Sequence, residues 1–223
     1  MEKELFFKNS CVRDKIGELI PVYHGTSSEE FTVFVPDRNV DGNDQYGGGM
    51  YFTTSYDTAL GYTGGTSGHV MECFLNITNP LIIDGTQNAN LCHIDVTGED
   101  ALRILLQHSG LYIPLCQDDV SEFNPLEDYL PDMADNPPQT TEEFQRCIRR
   151  MARKYFDPTD MRTLDIFFGR ERGDTFRRAV QEVCGYDGIR VDFGTQSTYV
   201  AWFPEQIKLT TNGDPTSSPD IRM

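Results

Sequence analysis

The chain is short of positive charge: 19 Lys and Arg stand against 35 Asp and Glu, for a formal net charge of −16. Binding along a phosphate backbone uses Lys and Arg to displace counterions, so this balance disfavours a sequence-independent nucleic-acid partner. No run approaches the roughly 18 apolar residues of a membrane span, and the opening MEKELFFKNS lacks the long apolar stretch of a secretory leader. The expectation is a soluble, cytoplasmic protein. Cysteine is present but unpatterned: Cys11, Cys73, Cys92, Cys116, Cys147 and Cys184 include no C-x-x-C pair, so neither a zinc site nor a redox motif is encoded, and no metal is expected. Both common phosphate loops, G-x-x-x-x-G-K-[ST] and G-x-G-x-x-G, are missing as well.

What is there suits an α+β fold. Short β-rich runs lie at the two ends of the chain: LIPVY (19–23) ending at His24, GMYFTT (49–54), VMECFLNITNPLIID (70–84) broken at Asn79-Pro80, YDGIRVDF (186–193) and STYVAWF (197–203). The middle carries helical patterns at 98–108, after the capping box Thr140-x-x-Glu143, and at 174–184 with Gly185 as the stop. Residues 104–145 contain no Lys or Arg and many acids, which is either a solvated loop or an acidic surface for a basic partner. The division expected is one domain over 1–212, with an acidic helical insertion at about 90–182, and a flexible tail over 213–223.

Two stretches could carry chemistry, VYHGTS (22–27) and GGGMYFTTSYDTALGY (47–62). His24 at a strand end is either a hydrogen-bonded structural residue or a ligand contact. Gly25 beside it lets another group approach the backbone closely, and Thr26 and Ser27 add hydroxyls at the same rim. The glycine run is either a flexible hairpin or the launch of a strand bearing Tyr51. Tyr51 and Tyr62 are either core aromatics or two faces that stack on a flat ring.

The ordered set VYHGTS, GGGMYFTTSYDTALGY, MECFLNITNPLIID, GYDGI and YVAWFPEQIK resembles the ADP-ribosyltransferases of the diphtheria-toxin and poly(ADP-ribose)-polymerase-like class. Nearer still is the ADP-ribosyltransferase domain of phage polyvalent proteins and other bacterial mobile elements. The likeness runs from about Phe6 to the tail NGDPTSSPDI and is weakest in the acidic middle. It implies a split, bent antiparallel β-sandwich with NAD in the cleft, the middle of the chain being a helical insertion. It also implies roles: His24 on a ribose hydroxyl, Gly25 on the nicotinamide carboxamide, and Tyr51 and Tyr62 around the nicotinamide ring. Thr26, Phe52 and Ala59 would line the same cofactor site. Residues 37–46 would form a lid, with Asn43 and Gln45 as polar contacts.

At one position the chain departs from the family. The glutamate that usually precedes the tyrosine of the last strand motif is Thr198 here, so the catalytic set reads His24, Tyr51, Thr198. A hydroxyl can bond a ribose but neither acts as a base nor supplies negative charge. Gln196 and Glu205 are secondary candidates for that role. The resemblance therefore implies an NAD-dependent mono-ADP-ribosyltransferase, releasing nicotinamide and modifying a macromolecular acceptor, protein rather than nucleic acid. Such an effector would be encoded by a phage or mobile element and act in the host cytosol. The alternatives are an inactive NAD- or ADP-ribose-binding module and an NAD glycohydrolase.

Overall fold

The first β-rich run does not stop at His24. It continues as strand β1 over Val22–Thr26, because His24 and Gly25 pair with Met71 and Val70 of a neighbouring strand. This is seen in a computed structural model, which describes residues 2–29, 31–35, 46, 48–65, 68–86, 91–108, 140–155, 161–167 and 173–210. Asn43, Gln45 and the tail expected over 213–223 lie outside the described residues, as does most of the expected lid. The chain divides into two compact units, one of residues 1–89 with 186–223 and one of residues 90–185.

The first unit is built on a mixed seven-stranded sheet in the order β4-β7-β8-β2-β1-β3-β9. Its strands are β1, β2 (Met50–Thr53), β3 (His69–Leu75), β4 (Pro80–Asp84), β7 (Gly188–Asp192), β8 (Ser197–Ala201) and β9 (Ile207–Leu209). The antiparallel pattern implied by the resemblance holds except at one edge, where β4 runs parallel to β7. Pro80 opens that strand, a place where a residue without an N–H is tolerated. Two short helices accompany the sheet, α1 (Glu2–Phe6) and α2 (Tyr56–Leu60).

The sheet nearly divides in its middle. β1 and β2 share the single pair Tyr23↔Thr53, whereas β1 with β3 and β2 with β8 form full ladders. Hydrophobic alternation sets the two faces. One face buries Val22, Met50, Phe52, Met71, Cys73, Leu75, Tyr199 and Ala201 in a core shared with Val12, Phe34, Ile77 and Ile207. The other face carries Tyr23, Gly25, Tyr51, Thr53, Thr198 and Val200, and α2 packs on it.

The second unit is not purely helical. Strands β5 (Leu91–Thr97) and β6 (Met161–Phe167) form an antiparallel pair that the expected helical insertion did not include. The helices among its described residues are α3 (Gly98–Gln107), α4 (Thr141–Tyr155) and α5 (Gly173–Cys184). Thr97 and Thr140 cap α3 and α4: each side-chain oxygen accepts from the backbone N–H three residues on, Asp100 at 3.1 Å and Glu143 at 3.2 Å. Ala101, Ile104, Leu105, Phe144, Ile148, Ala179 and Val180 are buried, the apolar stripes that the periodicity marks. No helix among the described residues is long and apolar enough to cross a membrane.

Candidate active site

The place where β1 and β2 part can be worked out from backbone polarity. Thr210 N–H donates to the Glu72 carbonyl at 3.0 Å and Asn76 N–H to the Gln206 carbonyl at 2.7 Å, so even-numbered β3 residues turn their amides toward β9. Met71 and Cys73 must then turn theirs toward β1, where they meet His24 and Val22. It follows that the N–H and C=O of Tyr23 and Gly25 face β2. Tyr23 finds Thr53 there, but the ladder goes no further. Gly25 and Tyr51, the next opposed positions, face each other across the gap.

His24 occupies part of this gap. Its Nδ1 lies 2.7 Å from the Tyr51 carbonyl oxygen, the acceptor that a continued ladder would have offered to Gly25. A carbonyl only accepts, so Nδ1 carries the proton, and in the neutral ring Nε2 keeps its lone pair. Around the imidazole stand Phe31, Phe34 and Phe52, with ring centroids at 5.9, 5.3 and 5.5 Å. This apolar setting lowers the His24 pKa through desolvation, and the Tyr51 carbonyl opposes the shift. Phe31 and Phe34 are contributors that sequence reasoning missed; their only trace was two phenylalanines downstream of VYHGTS.

Gly25 has a different immediate use from the one its sequence suggests. A Cβ built there would lie 1.8 Å from the Ala59 carbonyl oxygen and 3.2 Å from Tyr62 Cβ. The missing side chain therefore admits the C-terminal end of α2, while the backbone of Gly25 still faces the gap. Ala59 is buried against β1, and Phe52 is buried to 2 % exposure on the opposite face of the sheet. Both belong to the packing that shapes the cleft.

Tyr51 belongs to the same face by its place in β2, and Tyr62 Cβ lies 3.2 Å from where a Cβ on Gly25 would stand. Tyr62 is 66 % exposed, unusually open for a tyrosine beside a packed helix. The Tyr51 hydroxyl accepts from Tyr46 N–H at 3.0 Å. Tyr46 is itself buried, and desolvation first, then the nearby Tyr62 hydroxyl, raises its pKa. Three tyrosines thus gather at the mouth of the gap, and Tyr46 had been legible only as the end of a loop.

Thr198 lies on that face too, half-buried between its cross-strand partners Thr53 and Val191. Val200 and Gln196 are its neighbours along the chain on the same side. Among the strand residues of this face the only acid is Glu72, and β1 and β2 stand between it and β8. Three strand spacings put it about 14 Å from Thr198. Its carboxylate is also engaged, accepting from Thr210 Oγ1 at 2.7 Å. Gln196 Oε1 accepts from Thr58 Oγ1 of α2 at 2.9 Å. Glu205 is exposed on the 3-10 turn Pro204–Gln206 beyond β8. Thr26 Oγ1 accepts from Ser28 N–H at 3.1 Å, closing the turn that follows β1.

A cavity elsewhere in this unit, lined by Glu4, Phe7, Arg13, Gly17, Glu18, Leu19 and Phe74, includes no residue of β1, β2 or β8. Its one arginine is committed to the backbone carbonyls of Ser10, Gly17 and Phe7. The gap between β1 and β2 is therefore the place where backbone polarity, an oriented imidazole and tyrosine faces converge.

Comparison with known proteins bears on residues 14–217, which match the family model described as ADP-ribosyltransferase in polyvalent proteins. No curated protein and no solved structure matches the chain.

Proposed function

Because the chain belongs to the family of ADP-ribosyltransferases in polyvalent proteins, we propose that the gap between β1 and β2 binds NAD. The protein then transfers ADP-ribose to a macromolecular acceptor, a protein in preference to a nucleic acid, and releases nicotinamide. The observation that carries this reading is the imidazole of His24 held by the Tyr51 carbonyl. It leaves Nε2 as an acceptor for a ribose hydroxyl and leaves the amide and carbonyl of Gly25 facing the space where a carboxamide would pair, its C=O accepting from the Gly25 N–H and one of its two N–H groups donating to the Gly25 carbonyl. Tyr51 and Tyr62 would close on the two faces of the nicotinamide ring. The net negative charge favours a protein acceptor over a phosphate backbone. An effector of a phage or mobile element acting in a host cytosol fits this activity.

The reaction sets the demands on the site. Breaking the bond between nicotinamide and ribose builds positive charge on the sugar, as in glycoside hydrolysis, and rate comes from holding the rings and stabilising that charge. The tyrosine pair and Gly25 would do the holding. Thr198 can hydrogen-bond the ribose but brings no negative charge, which lowers the rate on the order of a hundredfold relative to a carboxylate. Elongation of an ADP-ribose chain needs a base where Thr198 offers only a hydroxyl, so single transfer is the reaction proposed.

A second reading has its own support. The lack of any strand carboxylate near Thr198 on this face favours a module that binds NAD or ADP-ribose without turning it over. Calorimetric titration with NAD, alongside an assay for released nicotinamide, separates the readings. Binding with release supports the transferase or, when water alone is the acceptor, a glycohydrolase. Binding without release supports the module, and an absence of binding overturns the NAD assignment.

A further inference from the structure

We propose that Gln196 is a positioning residue for the cleft: it fixes the N-terminal end of α2, and through α2 it holds Tyr62 in place over Gly25. The consequence for ligand binding rests on the NAD reading above.

α2 spans only Tyr56–Leu60. Isolated helices shorter than about 12 residues are marginal in water, so its position is decided by its anchors. One anchor is at the C-terminal end, where the Ala59 carbonyl lies against Gly25 and accepts the Tyr62 N–H at 3.0 Å. Tyr62 is thereby tied to the very carbonyl that seats the helix on β1. At the other end Ser55 N–H donates to Thr53 Oγ1 at 3.2 Å and the Tyr56 ring stands edge-on to Tyr23 at 5.5 Å, but neither contact ties the helix to the β7–β8 turn.

The second anchor is a chain of polar groups at the other end. Ser55 Oγ accepts from Thr58 N–H at 3.2 Å, capping the helix, and Thr58 Oγ1 lies 3.1 Å from the same oxygen. Thr58 Oγ1 donates onward to Gln196 Oε1 at 2.9 Å, a bond between segments far apart in sequence.

Gln196 is a stable post for that bond. Its own carbonyl accepts from Phe193 N–H at 2.9 Å, closing the β7–β8 turn that Gly194 makes possible at φ 82°. The next residue, Ser197, exchanges bonds with Thr54, its N–H to Thr54 Oγ1 and its carbonyl to Thr54 N–H, both at 3.0 Å. The hairpin is thus locked to β2 directly before α2 begins. With the N-terminal end held by Gln196 and the C-terminal end seated on Gly25, the helix axis is defined, and so is the height of Tyr62 above the gap.

The test is a double-mutant cycle on NAD affinity, measured by calorimetry with the full chain. Gln196→Ala weakens NAD binding about fivefold, as loss of one net hydrogen bond predicts. Gln196→Glu, which keeps an acceptor for the Thr58 hydroxyl, stays close to the parent. In the Tyr62→Ala background, Gln196→Ala produces no further loss, because its effect passes through Tyr62. Thr58→Val should give the same pattern and takes the place of Gln196→Ala if that variant does not fold. Additive losses, or an unchanged affinity in both Gln196→Ala and Thr58→Val, overturn the inference. Failure of the parent itself to bind NAD overturns the NAD reading and this inference with it, whereas binding by the parent with additive losses overturns this inference alone.

Discussion

His24 Nδ1 donates to the carbonyl oxygen of Tyr51 over 2.7 Å, across the line where β1 and β2 separate. The bond ties together two halves of a sheet that otherwise share one residue pair at this seam. It also fixes the tautomer, which is what makes Nε2 an acceptor rather than a donor.

Removing the imidazole should show on both counts. In His24→Ala the Tyr51 carbonyl loses its partner in a partly buried place, at a cost of about 1–3 kcal/mol. A lower melting temperature and a loss of about tenfold or more in NAD affinity are expected, read by thermal denaturation and calorimetry. Parent-like NAD affinity in this variant contradicts the role given to His24.

The lowered His24 pKa predicts an acid-side weakness. An unfolded histidine titrates near pH 6.5, and the folded ring titrates below that because its setting is desolvated. Below about pH 6.5 the unfolded chain therefore binds a proton that the native site resists, so stability present above that pH falls as the pH drops toward the folded pKa. NAD binding weakens lower still, as the pH falls through the folded pKa and the native ring itself takes up the proton, since a protonated Nε2 cannot accept. The check is a series of melts and titrations between about pH 5 and pH 8, with His24→Gln as the control that flattens the His24 contribution.

Gly25→Ala should fail for steric reasons alone. The residue is not among the glycines with positive φ, yet an added methyl meets the Ala59 carbonyl at 1.8 Å. Backbone does not step aside as a side-chain tip can, so α2 must move, and destabilisation of about 1–3 kcal/mol or more follows. Chemical denaturation measures it. An unchanged midpoint would mean that α2 is not seated as described.

Thr198→Glu should raise nicotinamide release from NAD by about tenfold to a hundredfold, by placing a charge where positive charge develops on the sugar. The position is open enough to take it, being half-buried beside another threonine. A rate no higher than the parent's, with NAD affinity retained, excludes the assignment of Thr198 to the vacant acidic position.

The sequence showed much of this frame, because the strands and helices carry the hydrophobic periods that burial demands. GMYFTT, YDGIRVDF and STYVAWF each hold a strand in the expected place, and the helical patterns near 98–108 and 174–184 are helices. What escaped depends on partners distant in the chain. LCHIDVT and MRTLDIF are strands only because they pair with each other, and neither advertises its mate. The use of Gly25 as a seat for Ala59 was invisible for the same reason: a glycine announces that something approaches closely, not what does. The aromatic wall of Phe31 and Phe34 around His24 is a tertiary fact too. By contrast, the reading of Thr198 as the counterpart of the family's glutamate rests on the resemblance alone, and among the described strand residues of that face the one acid, Glu72, is three strands away.

The most direct test of the account is the fate of labelled NAD incubated with the purified protein, with and without a bacterial lysate, using His24→Ala as control. The account predicts nicotinamide release that depends on the lysate, with label passing to a macromolecule and both signals lost in His24→Ala. Nicotinamide release that needs no lysate and labels nothing, or firm NAD binding with no release under either condition, contradicts the transferase.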